Sequence, residues 1–534
     1  MGRSPRTWSP EQTGLRPSKA PLAAAGGRLR GLVLPSLSDC LFAALIGWLF
    51  LAGSGWSVLL ADGDTGWHIR TGEFILDHRR LPESDLFSFS RAGEPWYAWE
   101  WLADVLFACS YRLGALKGVV LLSGALIAGY LTLLVRHMVW RRVNGFVALA
   151  CCLLGAGASG IHYLARPHLF TLLLLSASLW LLERDREKPD RAIWALVPLT
   201  AVWVNLHAGF LALLACLALQ AAGEGLEAWW ESGSPRALWM KARRRAALLA
   251  ACAAATLANP YGMGLHRHVA QYIKSDWIRE AVDEFQSPKF RSESAFQFEI
   301  LLFAGLIAVG LLLGRRRVAD ALMVVFWAHA ALVSVRHVPV FVVVACPILA
   351  AEASLRWTRW ARTRPARSLA GILDGLARDF AAGCRRTSLW PAVLLVALAL
   401  VNAPLRWPRD FPEIKFPVGL VGRQQEKLAG ARVFTSDQWG DYLLYRFYPD
   451  QKVFIDGRSD FYGPALGKLY LRTAYGHTEW RGTLERYAVT AVLAPTEWPL
   501  ASILRHEPGW RLVEEDGPAV LFERAGPQPS PQSQ

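Results

Sequence analysis

Two carboxylates and an imidazole follow directly on the first long apolar run of this chain, in the segment Asp62-Gly63-Asp64-Thr65-Gly66-Trp67-His68. A carboxylate can act as a general base on an acceptor hydroxyl or amine. A carboxylate pair can also hold a hard divalent cation such as Mg²⁺ or Mn²⁺, with Asp62 and Asp64 as the oxygen ligands. Because the segment stands at the mouth of a predicted membrane helix, the sequence indicates chemistry on a lipid-linked substrate.

The elements that must position this segment are those of a membrane protein. Of the 534 residues 53% are hydrophobic, and they form unbroken apolar runs rather than an amphipathic pattern. A spanning helix needs about 20 mostly apolar residues to cross roughly 30 Å of hydrocarbon. The repeated runs predict an α-helical polytopic membrane protein with about 11 transmembrane helices. The predicted spans are 38–60, 116–135, 144–161, 167–183, 192–206, 207–223, 246–259, 298–314, 318–335, 338–354 and 388–404.

The net charge of +14 raises the question of nucleic-acid binding. The basic residues lie in short loops between apolar runs, and no basic–aromatic platform accompanies them, so we expect no nucleic acid as a partner. The eight cysteines lie mostly in or beside apolar runs and form no CxxC pair. We therefore expect neither a disulfide framework nor a cysteine metal site.

Loop charge predicts the orientation of the spans. Lys and Arg collect in alternate loops, which are 136–142, 183–191, 224–245, 315–317 and 356–386. The positive-inside rule places these loops in the cytoplasm. We therefore expect an integral protein of a bacterial inner (cytoplasmic) membrane whose catalytic face is extracytoplasmic. The amphipathic stretch 96–113 is expected to lie flat on the outer surface, because counting it as a span breaks the alternation.

Composition divides the chain into four parts. Residues 1–36 read as a disordered cytoplasmic tail, and residues 37–404 as the transmembrane domain with a first outer loop at 61–115. Residues 405–525 carry prolines and then short strand-like runs, which predict a small C-terminal α/β extracytoplasmic (periplasmic) domain. The predicted strands are 432–435, 452–456, 489–494, 511–514 and 519–523. Residues 526–534 read as a second disordered tail.

Unusual polar residues fall at the outer ends of the predicted spans. Ionisable groups cost roughly 2.5 kcal/mol or more at mid-bilayer, so a ring of them at one depth suggests a hydrated cavity that opens outward. The catalytic candidates are Asp62, Asp64 and Glu100, the last being flanked by two tryptophans. The substrate-binding candidates are His68, Arg166, His168, Asn205, His207, Arg336 and His337.

Each of these candidates has a structural alternative. Arg166 and Arg336 are predicted phosphate contacts, because a guanidinium can bind phosphate through two parallel hydrogen bonds. The alternative for both is snorkelling at a helix end. The histidines of the tight turns, taken singly, could instead be hydrogen-bonded turn residues. Asp64 could cap the helix that follows it. In the C-terminal domain, 456–460 is predicted to be a polar turn that holds the domain to the catalytic face.

The segment 62–72, together with Pro82-Glu83-Ser84-Asp85-Leu86-Phe87-Ser88 and the stretch 95–102, resembles the first outer loop of the GT-C superfamily of membrane glycosyltransferases. The protein mannosyltransferase-like and lipid A aminoarabinose transferase-like branches are nearest. The resemblance implies that Asp64 is the base and that Asp62 assists it or binds a metal. Thr65 stands where the family often has Glu, and no Trp-Trp-Asp motif is present, so N-glycosylation of proteins is not expected.

The expected function is inverting transfer of a sugar from a polyprenyl-phosphate donor to a lipid, glycan or protein acceptor at the outer face of the membrane. The charged leaving group makes cationic stabilisation important for the rate. One alternative is a transporter or lipid flippase, which usually carries ionisable residues at mid-membrane. Another is a non-enzymatic assembly protein whose outer domain binds a partner.

Overall fold

The structure is a computed structural model that describes residues 32–52, 55–386, 388–401 and 406–525. Most of the predicted N-terminal tail and the whole predicted C-terminal tail lie outside these residues. The first predicted span begins with a capped helix. The Ser36 side chain accepts from the Asp39 amide, and the Asp39 carboxylate accepts from the Ser36 amide. This reciprocal pair is a capping box, which fixes the helix start.

The part of the chain before the linker is helical. Its helices are α1 Leu37–Leu51, α2 Asp64–His78, α3 Trp101–Trp140, α4 Gly145–Ser159, α5 His168–Glu187, α6 Leu196–Trp203, α7 Phe210–Ser232, α8 Pro235–Ala255, α9 Met263–Lys274, α10 Asp276–Ala281, α11 Glu293–Gly314, α12 Val318–Val333, α13 Val338–Ala361, α14 Leu369–Gly383 and α15 Trp390–Leu400.

Each of the eleven predicted spans coincides with one of these helices over most of its length. Among the described residues, five helices are long and apolar enough to cross a membrane, and their ranges are 101–140, 145–162, 210–232, 294–314 and 335–361. Four shorter apolar helices lie at 37–51, 191–203, 318–333 and 390–400. The architecture is therefore that of a polytopic membrane protein, while the number of about 11 spans stays a prediction.

Helix α3 joins the predicted surface stretch to the second predicted span. Its backbone leaves helical geometry at Gly114 and at Ala115, where φ is 49°. An L-residue such as alanine rarely adopts this left-handed conformation, so the break is a strained kink. The segment before the kink packs along α2. A Cβ on Gly72 would lie 2.0 Å from the Asp104 carbonyl oxygen, so only glycine permits the approach.

The C-terminal domain contains a four-stranded sheet. Its elements are α16 Val418–Arg423, α17 Gln425–Leu428, β1 Val433–Phe434, α18 Asp437–Phe447, α19 Ser459–Ala474, α20 Trp480–Arg486, β2 Ala491–Pro495, α21 Pro499–Leu504, β3 Trp510–Asp516 and β4 Ala519–Arg524. The strand order is β1-β2-β4-β3, with β1 parallel to β2 and the other pairs antiparallel. The predicted strand at 452–456 is wrong, because Val453 makes only isolated bridges to Val433 and to Ser88.

The bridge to Ser88 belongs to a broad contact between the C-terminal domain and the first outer loop. Helix α18 packs against the start of α2, where a Cβ on Gly63 or Gly66 would lie 2.4 Å or 2.6 Å from a carbonyl oxygen of α18. One apolar cluster contains Trp67 of the loop together with Tyr442 of the domain. The domain therefore closes over the segment that carries the two predicted catalytic aspartates.

Candidate active site

The start of α2 fixes the position of Asp64. The Asp62 carboxylate accepts a hydrogen bond of 2.9 Å from the Asp64 amide, and the Gly63 amide donates to Gln438 of the C-terminal domain at 2.7 Å. Asp64 is the first residue of the helix and Gly63 is its cap. The alternative that Asp64 is the N-cap is therefore wrong. The Asp62 carboxylate accepts from the first amide of the helix, and the Asp64 carboxylate is available for the cavity.

Three carboxylates surround the guanidinium of Arg166. Asp64 Oδ2 lies 2.7 Å from Nη2, and Asp62 Oδ2 lies 3.2 Å from Nη1. Glu284 also pairs with Nη1. Arg166 follows the turn after α4, and the Thr65 hydroxyl, which donates to the Ala165 carbonyl at 3.0 Å, ties this turn to α2. Three carboxylates and one guanidinium leave an excess of negative charge. This excess favours either a further cation or protonation of one carboxylate.

Burial and charge act in opposite directions on these carboxylates. Burial raises the pKa of Asp64 to about 8, against the opposing charge of Arg166 and with the help of neighbouring Asp62. Burial also raises the pKa of Asp62. Burial raises the pKa of Glu284 as well, but the positive charges of Arg166, His162 and Arg336 together outweigh it, and the net result is a pKa of about 2. Glu284 therefore stays ionised and anchors Arg166, while Asp64 titrates near neutral pH.

Glu100 forms a second buried carboxylate site on the same cavity. Its oxygens lie 3.9 Å from His68 Nε2 and 3.7 Å from His207 Nε2. Burial raises the pKa of Glu100 to about 8, against the charges of Arg166 and Arg336. His68 Nδ1 lies 2.6 Å from the Asp104 carboxylate, which holds the imidazole beneath Glu100.

One cavity lies between the first outer loop, the turns of the helical part and the C-terminal domain. Its walls contain Asp64, Trp67, Trp96, Tyr97, Ala98, Trp99, Glu100, Asp104, His162, Arg166, Pro167, His168, His207, Tyr272, Glu284, Arg336, Gly457, Arg458 and Asp460. Six of the residues predicted from the sequence therefore share this cavity, and they are Asp64, Glu100, Arg166, His168, His207 and Arg336. Asp62 and His68 lie directly behind the wall, where Asp62 contacts Arg166 and His68 contacts Asp104.

Besides His68, two further predicted substrate-binding residues do not line the cavity. The Asn205 carbonyl oxygen accepts from the Trp101 indole at 2.8 Å, and its amide donates to two main-chain carbonyls. His337 Nδ1 lies 3.2 Å from the Ala330 carbonyl oxygen. Both side chains therefore stabilise turns, which is the structural alternative for such residues.

Arg336 has a different environment from Arg166. Its guanidinium carbon lies 4.5 Å from the ring centroid of Phe285, and its positive charge opposes the burial that raises the pKa of Tyr272. No carboxylate of the described residues lies within the 4.0 Å ion-pair distance of Arg336. Its charge is therefore uncompensated by direct contact, although it faces the cavity.

Several residues of the site were not among the sequence candidates, and they are Tyr272, Glu284, Asp441, Arg458 and Asp460. The turn that contains Gly457 lies against two of the carboxylates. A Cβ on Gly457 would lie 2.0 Å from Asp64 Oδ1 and 2.8 Å from Asp441 Oδ2. The Asp441 carboxylate accepts from the Gly457 amide at 3.0 Å. The turn 456–460 was predicted to hold the domain to the catalytic face, and in the structure it lies against the Asp64 carboxylate.

The metal expectation rests on the oxygen donors of Asp62 and Asp64. Hard carboxylate oxygens suit Mg²⁺ or Mn²⁺. In the structure, Arg166 occupies the space between these carboxylates. Among the residues described, no group of three or more His, Cys, Asp and Glu side chains has the arrangement of a metal site. The metal therefore stays a prediction, and the residues present supply a fixed cation in its place.

Comparison with known proteins identifies the fold. No protein-family model matches the chain, and no curated protein matches it by sequence. The oligosaccharyltransferase of Archaeoglobus fulgidus in the apo form matches 86% of this chain and 69% of its own length, at 12% identity and a TM-score of 0.50. The same enzyme, tethered to an acceptor peptide with an NVT sequon, matches 94% and 74% at 12% identity and a TM-score of 0.53. The chain therefore has the GT-C fold that the resemblance implied.

Proposed function

We propose that this protein is an integral membrane glycosyltransferase that transfers a sugar from a polyprenyl-phosphate donor to an acceptor at the outer face of a bacterial inner membrane. One observation carries the proposal: Asp64 and Arg336 line the same cavity, in a chain with the GT-C fold. A base for the acceptor and a cation for the phosphate are thus within reach of one bound substrate pair.

Asp64 is the proposed general base. Its carboxylate accepts the proton of an acceptor hydroxyl or amine, and the freed lone pair attacks the anomeric carbon of the donor. The bond from that carbon to the phosphate oxygen breaks as the new bond forms, so the configuration inverts and the lipid phosphate leaves with the electron pair. A pKa of about 8 places the base near neutral pH, and the rate is expected to rise with pH as Asp64 ionises.

Arg336 is the proposed phosphate contact. A phosphate that leaves with an additional negative charge is stabilised by a fixed guanidinium nearby. Arg336 suits this role because it stacks on Phe285 and has no carboxylate of the described residues in contact. Arg166 was predicted to share this role. Its contacts with three carboxylates support a different one, in which it orients Asp64 and keeps it within the cavity.

The remaining polar residues line the path between these two groups. Glu100 is a second carboxylate, held between two imidazoles, that could accept a hydrogen bond from the acceptor. His168 and His207 form the wall beside it. A divalent cation on Asp62 and Asp64 would have to displace the Arg166 guanidinium that lies between them.

The direct test uses the full-length protein in lipid nanodiscs. Labelled polyprenyl-phosphate-linked hexoses and amino sugars are supplied as donors, and an envelope extract that retains its lipids is supplied as the acceptor. Transferred label is measured together with the anomeric configuration of the product. The proposal expects donor-dependent transfer with inversion. Retention of configuration would contradict the mechanism, and no transfer of any hexose or amino sugar, with donor left intact, would contradict the function.

The proposed orientation has a separate test. A periplasm-active reporter enzyme fused after residue 525 is expected to be active, and the same fusion in the basic loop after residue 364 is expected to be silent. The opposite pair of results would place the cavity in the cytoplasm and exclude an extracytoplasmic reaction.

A further inference from the structure

Arg458 of the C-terminal domain has a buried guanidinium nitrogen with no partner. The residue is 3% exposed and lines the cavity. Its Nε donates to Asp456 Oδ1 at 2.8 Å, and its Nη2 donates to Asp85 Oδ1 at 2.6 Å. Nη1 has no hydrogen-bond partner within the described part of the chain. A buried N–H without a partner is unfavourable, so a ligand in the cavity would complete the hydrogen bonding of this side chain.

The charge around Arg458 argues for a neutral acceptor. Asp85 and Asp456 together place two negative charges against the single positive charge of the guanidinium. A phosphate at this position would meet a wall without net positive charge. Arg336, which has no contacting carboxylate among the described residues, offers the better phosphate site. The open donor of Arg458 therefore fits a hydroxyl or carbonyl oxygen.

Aromatic side chains cover the wall beside Arg458. The Trp96 ring lies 4.5 Å from the guanidinium carbon. Trp99 is partly exposed to the cavity, and its ring lies 6.3 Å from that of Tyr272. The electron-rich face of an indole attracts the weakly positive C–H groups on the apolar face of a hexose. Such a wall binds a sugar ring while its hydroxyls remain free for polar groups.

Asp460 supplies the complementary polar group. Its Oδ2 lies 2.9 Å from His268 Nε2, and the residue also lines the cavity. An ionised carboxylate has about four acceptor positions, so one contact leaves it able to accept from a hydroxyl. A donor on Arg458 and an acceptor on Asp460, two residues apart beside an aromatic wall, match the paired hydroxyls of a hexose.

We propose that Trp99, Arg458 and Asp460 form a sugar-binding subsite, in which Arg458 donates to one hydroxyl and Asp460 accepts from another. This inference rests on the proposed function, because it assigns the part of the substrate that the C-terminal domain recognises. The sugar could come from the donor or from a glycan acceptor. The C-terminal domain then selects the sugar, while the helical part supplies the base and the phosphate contact.

The test measures binding of free methyl glycosides of glucose, mannose, galactose and N-acetylglucosamine to the full-length wild-type protein by saturation-transfer NMR. We expect at least one to bind, and removal of one hydroxyl from that glycoside to weaken binding about tenfold. Asp460→Asn and Arg458→Lys should each weaken it to a similar extent. The control is Arg432→Lys, whose guanidinium lies over Phe89 of the first outer loop, away from the cavity wall.

Absence of glycoside binding, or a deoxy series that binds like its parent, would overturn the subsite. If Arg458→Lys does not fold, the deoxy series on the wild-type protein decides alone. Displacement of the glycoside by polyprenyl-phosphate hexose assigns the subsite to the donor, and displacement only by a neutral oligosaccharide assigns it to the acceptor. Sugar transfer without any glycoside binding would overturn the subsite but leave the proposed function standing. Glycoside binding without any transfer would leave the subsite standing and remove the proposed activity.

Discussion

The Asp64 carboxylate lies 2.7 Å from the Arg166 guanidinium, and that arginine also contacts Asp62 and Glu284. Groups from three distant segments are thereby held together at the floor of one cavity. The pair explains how an aspartate buried under a second domain keeps its position. The charge of Arg166 also opposes the burial that raises the pKa of Asp64, so it affects the pH at which Asp64 can accept a proton.

Arg166→Ala should destabilise the protein strongly. The substitution leaves three carboxylates close together with no compensating charge, and removing one partner of a buried ion pair costs about 3–5 kcal/mol. We expect a large drop in the midpoint of thermal unfolding, with partial recovery in Arg166→Lys. The control is Arg112→Ala, which removes an exposed ion pair with Asp77 within the first outer loop. This substitution should cost less than about 1 kcal/mol. Equal effects of the two alanine variants would show that the cluster does not stabilise the fold.

Glu100→Gln should change how stability depends on pH. Burial raises the folded-state pKa of Glu100 from its ordinary value of 4.5 to about 8, so between these pH values the folded protein binds one proton more than the unfolded chain does. Its contribution is complete below about pH 4 and is lost as the pH rises through 8. Wild-type stability should therefore fall from pH 5 to pH 9, by up to roughly 4 kcal/mol from this group.

The glutamine cannot ionise, so the variant should lose less stability over the same interval. Glu73→Gln, which changes a partly exposed residue paired with Arg70 on α2, serves as the control. The measurement is the thermal midpoint at several pH values. A decline in Glu100→Gln as steep as in the wild type would show that this carboxylate is not a source of the pH dependence.

Gly457→Ala should disable the site through a steric effect. The added Cβ would lie 2.0 Å from Asp64 Oδ1, so either the turn or the carboxylate has to move. We expect a loss of transfer of at least about tenfold and a stability cost of about 1–3 kcal/mol. Gly482→Ala is the control, because nothing lies within 4 Å of the added atom in the same domain. Normal transfer by Gly457→Ala would mean that this turn does not constrain Asp64 during catalysis.

Arg336→Ala should raise the KM for the donor by about tenfold or more while the KM for the acceptor changes little, because a charge-assisted contact to phosphate is lost. Arg336→Lys should restore part of the donor affinity, since lysine keeps the positive charge but lacks the planar guanidinium that binds phosphate through two hydrogen bonds. Arg364→Ala removes a comparable cation–π contact, with Trp360, and should have no effect on either KM. An unchanged donor KM in Arg336→Ala would remove the phosphate role.

The sequence predicted the parts of this site that depend on local pattern. The apolar runs located the helices. A helix was expected directly after the Asp-Gly-Asp segment, and the structure has one, which begins at Asp64. Arg166 and Arg336 were recognised because tight turns between apolar helices rarely need an arginine, and both lie on the cavity.

The remainder depends on contacts that no periodicity encodes. Glu284 lies in a single 3₁₀ turn, Asp283–Phe285, and its pairing with Arg166 follows from how the turns meet. Asp441 reaches the site because α18 packs on Gly63 and Gly66, far away in the sequence. Alternation at 452–456 predicted a strand, but the segment bridges the sheet and the first outer loop instead. The missed Asp441 and the wrong strand at 452–456 both concern how the C-terminal domain docks, which composition does not specify.

The central claim is tested most directly by the single-turnover rate of sugar transfer in Asp64→Asn, measured beside Asp77→Asn from the exposed end of the same helix. The account predicts that Asp64→Asn loses transfer by at least about 100-fold, the usual contribution of a general base, while the protein still binds donor. Asp77→Asn should transfer at the wild-type rate. Transfer by Asp64→Asn at the rate of Asp77→Asn would contradict the assignment of Asp64 as the base.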